Sequence, residues 1–500
     1  MLASRHRSHR FAIEIAPTKS GTRQTETRRS GVAREWTPEP PIRGQGRSYK
    51  GGTRQTETCR RELLANGHRS HRFAIEIAPT KSGTRQTETR RGGLAREWTP
   101  EPPIRGQGRS YKGGTRQPKP VGASSLANKV SQNNKRNAMN SQATMTAAVW
   151  HGRKDIRLEQ VALPGAPQPG WVQIRVHWCG ICGSDLHEYL AGPVFIPVDA
   201  PHPLTGIKGQ CILGHEFCGE IVATGEGVEG YAPGDKVAAD ACQHCGQCRF
   251  CKTGQYNLCE QLAFTGLMNN GAFAEFVNVP AELLYRLPEG FPLEAGALIE
   301  PLAVGMHAVK KAGSLLGETV VVVGAGTIGL CTIMCAKAAG AGQVIALEMS
   351  AARKAKALEV GANRVIDPSE CDAIAEIKAL TGGYGAGVSF ECIGHKSTAK
   401  LAIDVIRKAG RCVMVGIFEE PSEFNFFEIV ATEKQVIGSL AYAGEFADVI
   451  ALITDGRMDV TPLITGRIGL DNILEQGFEE LANHKDRNVK IIVSPSALAG

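Results

Sequence analysis

From Met145 onward the chain begins with short runs of apolar and β-branched residues that Gly and Pro interrupt at short intervals. Runs of this length and composition predict strands, and the Gly and Pro residues between them predict tight turns. The clearest candidates are Val172–His177, Glu220–Thr224 and Ala274–Val279. The pattern therefore predicts a compact, mostly β lobe over residues 145–298.

From about residue 300 the pattern changes to strands that alternate with longer helical segments. The predicted strands are Val320–Val323, Val344–Glu348, Gly387–Glu391 and Arg411–Val415, and the predicted helices are Ile328–Ala339 and Ala351–Val360. Such alternation predicts an α/β domain with a parallel, doubly wound sheet, which we place at residues 299–441. The last segment, 442–500, indicates a helix and closing strands that end at Val489–Val493, and we expect it to return to the first lobe.

The first 144 residues have a different composition. They hold 29 Lys or Arg and 10 Glu, a balance of +19, whereas the rest of the chain holds 57 − 29 = 28 basic and 50 − 10 = 40 acidic residues, a balance of −12. The stretch His6–Gln55 recurs as His68–Gln117 with two differences. This segment lacks the periodic apolar face that stacked repeats need, so we expect residues 1–144 to form a disordered basic arm.

The arm has two interpretations. Its RGQGRSYKGG stretch resembles Arg-, Gly- and Tyr-containing sequences that bind single-stranded nucleic acid through charge and stacking. The near-perfect repetition favours a functionally silent tail, or sequence translated ahead of a true start at Met145. We favour the silent arm and keep a nucleic-acid-associated protein as the alternative from another functional class.

Cysteine usage and hydropathy indicate the compartment. Fourteen of the 15 cysteines lie in the body, several of them at metal-ligand spacing, and no signal peptide is visible. A reducing compartment, most simply the cytoplasm, is therefore expected. The uncharged run 319–336 approaches membrane-spanning length, but its glycines divide it into a strand, a turn and a helix start. We expect no membrane association.

Four cysteines at the spacing C-x2-C-x2-C-x7-C form the strongest motif of the chain; they are Cys245, Cys248, Cys251 and Cys259. Four thiolates at short intervals can surround one tetrahedral Zn²⁺, which prefers soft sulfur ligands. A C-x-x-C redox dithiol is the alternative, and it is disfavoured by four sulfurs in one register. The motif predicts a structural zinc site. The segment 245–259 that contains it is here called the cysteine loop.

A second metal site is predicted from residues that lie farther apart. Cys182, His215 and Glu300 could be the three protein ligands of a catalytic zinc that keeps one position open, and Glu216 could replace or supplement one of them. Ser184 and His187 follow Cys182 at a spacing that suits a hydroxyl-to-imidazole proton relay. Each residue alone has an ordinary structural explanation, such as a buried thiol or a turn-capping hydroxyl.

A dinucleotide site is predicted downstream. Gly324, Gly326 and Gly329 form a G-x-G-x-x-G motif that follows a Val-rich strand and opens a helix, and Glu348 ends the next strand. This is the context of a Rossmann fingerprint, in which the pyrophosphate lies at the helix N-terminus and the acidic residue binds the ribose hydroxyls. The Glu348 charge would repel a 2′-phosphate, so the sequence predicts NAD over NADP. Arg353 could line the adenosine.

With these residues identified, the body resembles the zinc-containing medium-chain dehydrogenases, and within them most the (R,R)-2,3-butanediol dehydrogenases. The stretches that carry the resemblance are CGICGSDLHEYLAGPVFIP at 179–197, PHPLTG at 201–206, LGHEFCGEIV at 213–222, ALIEPLAVGMHAV at 297–309 and IGSLAYAGEF at 437–446. The resemblance implies a GroES-like catalytic domain paired with a Rossmann domain, and it implies homodimers or homotetramers. It also implies that Cys182, His215 and Glu300 match catalytic zinc positions, that Glu216 matches a ligand of the related sorbitol dehydrogenases, and that the cysteine loop holds a structural zinc.

Together these features predict an NAD- and zinc-dependent enzyme that oxidises a secondary alcohol of a vicinal diol, most simply 2,3-butanediol to acetoin, and catalyses the reverse. The alternative within the class is a sorbitol- or xylitol-type polyol dehydrogenase. Ligand spacing does not separate the two, and only the segment Glu188–Gly206 bears on the choice.

Overall fold

The computed structural model describes residues 143–496. The predicted disordered arm and its nucleic-acid interpretation lie outside the described residues, apart from its last two positions. Within the described range, no helix is both long enough and apolar enough to cross a membrane.

The first lobe is mostly β, as its short punctuated apolar runs predict. Its elements are β1 (Thr144–Gly152), β2 (Asp155–Ala162), β3 (Trp171–Gly180), α1 (Gly183–Ala191), β4 (Cys211–Ile212), β5 (Glu216–Thr224), β6 (Lys236–Ala239), β7 (Cys242–Gln243), α2 (Arg249–Lys252), β8 (Ala263–Phe264), β9 (Phe276–Pro280), β10 (Leu284–Arg286) and α3 (Leu293–Gly296). Strands β2, β1 and β4 form one small sheet, and β7 pairs with β8.

The second domain alternates helices and strands. Its elements are α4 (Ile299–Ala312), β11 (Thr319–Val323), α5 (Thr327–Ala338), β12 (Gln343–Leu347), α6 (Ala351–Glu359), β13 (Arg364–Ile366), α7 (Ala373–Leu380), β14 (Ala386–Glu391), α8 (Lys396–Asp404), β15 (Ile406–Met414), α9 (Phe426–Thr432) and β16 (Gln435–Gly438). All six strands are parallel, in the order β13-β12-β11-β14-β15-β16. The predicted fold class, a mostly β lobe joined to a parallel doubly wound sheet, is confirmed.

The last segment contains α10 (Phe446–Thr454), β17 (Ile464–Gly469), α11 (Glu480–Asn483) and β18 (Lys490–Ser494). Strand β18 runs antiparallel to β3, so the end of the chain lies in the seven-stranded sheet of the first lobe. In that sheet β3 lies between β5 and β18. The ends of these three strands therefore meet at one place, although they are far apart in sequence.

Two apolar cores support this arrangement. One fills the first lobe around Ile174, Phe217 and Phe273. The other is centred on α4 and α5 and on the parallel sheet. Helices α4 and α5 approach closely, because a Cβ at Gly305 would lie 3.0 Å from the α5 backbone at Cys331. Helix α4 is therefore packed tightly against α5.

Candidate functional site

Strand register brings the predicted metal ligands together. Gly180 at the end of β3 pairs with Glu216 at the start of β5. Cys182 lies two residues beyond Gly180, and His215 directly precedes Glu216, so the pairing places both beside the same strand ends. A Cβ at Gly180 would lie 2.1 Å from Glu216 Oε2, so glycine is required there if the carboxylate is to turn toward the site.

Cys182, His215 and Glu216 form a compact set, here called the catalytic cluster, in which one sulfur, one nitrogen and one oxygen all lie within 4.8 Å of one another. His215 and Glu216 are buried and Cys182 is partly buried. One thiolate, one imidazole and one carboxylate are a donor set that suits Zn²⁺, and three ligands leave the fourth tetrahedral position open for a substrate. The residues therefore fit a catalytic zinc.

Asp185 lies beside His215. Cys182 is the N-cap of α1, and its backbone N–H donates to Asp185 Oδ2 at 2.9 Å. The other carboxylate oxygen lies 3.5 Å from His215 Nδ1, while His215 Nε2 lies 3.1 Å from Ser184 Oγ. Burial disfavours the imidazolium, but the charges of Asp185 and Cys182 raise the pKa of His215 well above its ordinary value. A carboxylate behind the imidazole is a common way to orient a metal-ligating histidine.

Lys490 is a partner of Glu216 that the sequence analysis missed. Its Nζ donates to both Glu216 oxygens, at 2.7 and 2.6 Å, and to the carbonyl of Ile181 at 3.0 Å. Both charged side chains are almost completely buried. Burial disfavours the ammonium, but Glu216 outweighs this and raises the pKa of Lys490. The sequence did contain one signal for this pair, a lysine within the apolar run Val489–Val493. A lysine is rarely buried without a charged partner, so its position in this run indicated one.

Glu300 is buried on α4 and lies outside the set of three ligands. Burial, reinforced by the charge of Glu216, raises the pKa of Glu300 to about 7. Its predicted role as a ligand stays a prediction. Of the four residues proposed for the metal, the structure groups three and leaves Glu300 outside that set.

The two predicted relay residues face different partners. Ser184 and His187 lie on the same helix, three positions apart, yet among the described hydrogen bonds none joins them. Ser184 Oγ contacts His215, whereas His187 Nδ1 lies 2.9 Å from Glu419 of the second domain. A relay between them would therefore need a group lying in the space between, so the relay stays a prediction.

The cysteine loop has the geometry of a zinc site. The four Sγ atoms lie within 4.8 Å of one another, with Cys248 to Cys251 at 3.4 Å and Cys245 to Cys251 at 4.0 Å. A tetrahedron with Zn–S bonds of about 2.3 Å has S···S edges of about 3.8 Å. Backbone N–H groups point at the Cys245 and Cys259 sulfurs, which favours thiolates.

The glycine motif forms the turn between β11 and α5. Gly324 has φ +93°, which glycine adopts without strain. A Cβ at Gly329 would lie 1.9 Å from the Gly324 carbonyl, whereas a Cβ at Gly326 would meet nothing within 4 Å. Gly329 is thus needed for packing, and Gly326 leaves an open cradle at the helix N-terminus, as a pyrophosphate requires. Glu348 closes the turn by accepting from the N–H of Ala325 at 2.8 Å.

A cleft of 270 Å³ separates the two domains at this turn. It is lined from both sides, by residues that include His187, Thr327, Arg353 and Glu419. Arg353 therefore lies in the cleft where the sequence predicted a cofactor. A larger cavity of 660 Å³ lies in the first lobe, but none of the predicted site residues lines it. Of the predicted site residues, His187 and Arg353 line the smaller cleft.

Comparisons with known proteins agree with this geometry. A family model described as "Alcohol dehydrogenase GroES-like domain" matches residues 168–289, and one described as "Zinc-binding dehydrogenase" matches residues 327–455. The chain is 45% identical over 356 residues to the (R,R)-butanediol dehydrogenase of Bacillus subtilis, covering 70% of this chain and 100% of that protein. It is 32% identical over 357 residues to the sorbitol dehydrogenase of Bacillus subtilis, covering 70% of this chain and 98% of that protein.

Solved structures show the same relationship. The crystal structure of 2R,3R-butanediol dehydrogenase from Bacillus subtilis is similar with a TM-score of 0.66 and 44% identity, over 70% of this chain and 99% of that chain. A zinc-binding dehydrogenase of Sinorhizobium meliloti 1021 bound to NADP is similar with a TM-score of 0.65 and 32% identity, over 71% of this chain and 100% of that chain.

Proposed function

This chain belongs to the zinc-dependent medium-chain dehydrogenases, and on that premise we propose that it oxidises one secondary hydroxyl of a vicinal diol with NAD, most simply 2,3-butanediol to acetoin, and catalyses the reverse reduction. The observation that carries the proposal is the catalytic cluster beside the glycine turn. The 45% identity to a butanediol dehydrogenase supports the choice of substrate.

Cys182, His215 and Glu216 would hold the zinc, and the glycine turn with Glu348 would hold NAD. When bound, zinc supplies Lewis-acid polarisation of the substrate oxygen and NAD supplies the hydride acceptor. The protein residues prepare the site for this chemistry. Asp185 orients His215, and Lys490 balances the charge of Glu216. This balance is needed because a buried carboxylate without a cationic partner would destabilise the fold.

The proton of the substrate hydroxyl needs a path to solvent. We assign Ser184 as its first acceptor, because the hydroxyl lies within 3.1 Å of a cluster ligand. His187 is half-buried and lies in the cleft, so it can pass the proton outward. The predicted order is Ser184 and then His187, with a bound group in the cleft joining them.

Glu348 supports NAD rather than NADP. Its carboxylate lies at the mouth of the glycine turn, where it accepts from the N–H groups of Ala325, Met349 and Ser350. A carboxylate in this place can accept from the adenosine ribose hydroxyls and repels a 2′-phosphate. The NADP in the Sinorhizobium structure belongs to that protein. The cofactor preference of this chain is therefore inferred from its own residues.

The test is NADH formation by the full-length, zinc-loaded protein with 2,3-butanediol, sorbitol and xylitol as substrates. We expect the highest kcat/KM with the diol and two zinc ions per chain. Cys182→Ala should abolish turnover and lower the zinc content to one. The matched control is Cys211→Ala, which alters a buried thiol outside both zinc sites and should leave zinc content and substrate preference unchanged. A much higher kcat/KM with a polyol would replace the diol assignment with the sorbitol-type alternative.

We also propose that the chain forms a homodimer through the edge strand β16. The edge of β16 that faces away from β15 is not paired within the described sheet. On the neighbouring helix α9, three apolar side chains are more than 70% exposed: Phe426, Phe427 and Val430. An unpaired strand edge beside exposed aromatic residues favours pairing with an identical edge around a twofold axis. Sedimentation of the full chain should give a dimer or a tetramer, and Phe427→Asp should shift it toward the monomer. A wild-type monomer would contradict the proposal.

We propose a reducing compartment, most simply the cytoplasm, as the site of action. The cysteines of the described residues are all free thiols, and four of them are grouped in a way that suits a metal rather than disulfides. Fractionation of the native protein tests this proposal.

A further inference from the structure

Glu391 is a buried carboxylate that the proposed chemistry does not use. It is the last residue of β14 and is 0% exposed. The buried carboxylate of Glu216 is balanced by Lys490, whereas in the part of the chain that the structure describes no ion pair includes Glu391. A buried charge without a cationic partner is costly, so its surroundings must compensate it.

The loop that follows β14 supplies hydrogen bonds to this carboxylate. Glu391 Oε1 accepts from the N–H groups of Ile393 and Gly394, each at 3.0 Å, and the Thr398 hydroxyl lies 2.7 Å from the same oxygen. Glu391 Oε2 accepts from the N–H of Gly394 at 3.1 Å. These partners are uncharged groups that can donate, which suits an ionised carboxylate because that form only accepts. They satisfy its hydrogen bonds and leave its negative charge without a counter-charge.

The same loop lies against the glycine turn. Strand β14 runs beside β11, and Glu391 pairs with Val323, the residue before Gly324. The side chain of Ile393 packs on Gly324, because a Cβ at Gly324 would lie 2.5 Å from Ile393 Cγ1. Ile393 is nonetheless 51% exposed. Glu391 is therefore connected by direct contacts to the rim of the nucleotide turn.

The strand order indicates which half of the cofactor passes this point. The chain forms β11, β12 and β13 on one side and continues with β14 on the other, so the strand order reverses between β11 and β14. A dinucleotide binds across the carboxyl ends of the strands at such a reversal. In the proposed function Glu348, which follows β12, accepts from the adenosine ribose, and the pyrophosphate lies at Gly326. The nicotinamide half then extends to the opposite side, where β14 ends at Glu391.

The two redox forms of the cofactor differ in charge at this half. The nicotinamide ring of NAD⁺ carries a positive charge that the ring of NADH lacks. A fixed negative charge that is excluded from water attracts the oxidised ring more strongly than the reduced one. We propose that the charge of Glu391 stabilises bound NAD⁺ relative to bound NADH, and so biases the proposed reaction toward reduction of the carbonyl substrate. The inference rests on the proposed function, in which the glycine turn holds the cofactor.

The test compares the affinities of the full-length, zinc-loaded protein for NAD⁺ and NADH, without substrate and at one fixed pH. Binding of NADH is followed by its fluorescence, and binding of NAD⁺ by displacement of NADH. Glu391→Gln keeps the shape of the side chain and removes the charge. We expect the ratio of the Kd for NAD⁺ to the Kd for NADH to rise about threefold to thirtyfold, because a unit charge in protein of effective dielectric constant about 20 has an effect of this order.

Glu391→Asp separates the charge from the packing of the loop. It keeps the charge, but the shorter side chain should lose part of its hydrogen bonding to Ile393 and Gly394. Both affinities should then fall by similar factors, with the ratio of the two Kd values close to that of the wild type. If Glu391→Gln also weakened both cofactors equally, Glu391 would have only a structural role, and the proposal would be overturned.

The matched control is Glu318→Gln. It removes a carboxylate that pairs with Arg407 at 3.0 Å and directly precedes β11, at the opposite end of the strands. The Kd ratio of this variant should equal that of the wild type. A ratio that rose as much as in Glu391→Gln would mean that the effect does not depend on the place of the charge, and would contradict the proposal.

Ile393→Lys provides an independent variant if Glu391→Gln fails to fold. The position is half-exposed, so the ammonium can reach solvent, and the added cation should raise the same Kd ratio. An unchanged ratio would overturn the inference, because the nicotinamide would then lie away from this edge. A wild-type protein that binds neither NAD⁺ nor NADH overturns the proposed function and the inference together. A wild type that binds both, with a ratio that Glu391→Gln leaves unchanged, overturns the inference alone.

Discussion

Replacing Lys490 with methionine tests the buried ion pair at the centre of the site. The ammonium and the Glu216 carboxylate are 1% and 0% exposed, and all three N–H donors of Lys490 have partners. Methionine fills a similar volume and removes the charge. Glu216 then remains buried in the metal-free protein without a cation.

The size of the effect follows from this burial. Removing one partner of a buried ion pair leaves an uncompensated charge and costs about 3–5 kcal/mol. At about 2–4 °C per kcal/mol for domains of 150–250 residues, the melting temperature of the metal-free protein should fall by about 6–20 °C. Bound zinc would replace the missing cation, so the stabilisation on adding zinc should be larger in the variant than in the wild type.

Scanning calorimetry with and without chelator measures both quantities. The matched control is Lys400→Met, which breaks an exposed pair with Asp404 and should cost no more than about 1 kcal/mol. The double variant Glu216→Gln with Lys490→Met should recover much of the lost stability, because no buried charge is left alone. A metal-free Lys490→Met protein that melts within 1 °C of the wild type would refute the reasoning.

Three further predictions follow from single features of the structure. Burial opposes ionisation of Glu445, but the hydrogen bond with His307 lowers the pKa of Glu445 from 4.5 to about 2. The ionised carboxylate therefore contributes its full stabilisation above pH 4.5, and this stabilisation is lost as the pH falls toward 2. Glu445→Gln should accordingly make the free energy of unfolding less dependent on pH in that window. Glu348→Ser should raise the NADP-to-NAD ratio of kcat/KM, and an unchanged ratio would count against its assignment. Gly326→Ala should weaken NADH binding at unchanged melting temperature, because the added Cβ enters only the open cradle. Gly329→Ala should also lower the melting temperature, because the added Cβ would lie 1.9 Å from a backbone carbonyl.

The parts of this protein that the sequence predicted well are those set by short-range pattern. The four cysteines of the loop lie within 15 residues, so their spacing alone restricts them to one site. The apolar runs and glycines around Gly324 predict a strand, a turn and a helix, because the side-chain period of a strand or a helix is set by local backbone geometry. The parallel doubly wound sheet follows from repetition of that unit, and the structure confirms it.

The catalytic cluster was only partly predictable. The types and contexts of Cys182 and His215 indicated ligands, but the choice between Glu216 and Glu300 depends on which carboxylate the strand register places inside the set. The pairing of Gly180 with Glu216 brings Glu216 into it. Asp185 was missed because its role behind His215 depends on how α1 lies against β5, and local pattern does not contain that information.

The sequence by itself thus determined the fold class, the grouping of the four loop cysteines and the strand–turn–helix unit around Gly324, because each follows from local spacing or from its repetition. Only the tertiary structure decided how the charges are balanced, because Lys490 meets Glu216 across 274 residues and comes from a strand that follows the entire parallel sheet. The physical reason is burial. A charged or polar group removed from water must find its partner wherever the packed chain places one, and that place is a property of the whole fold.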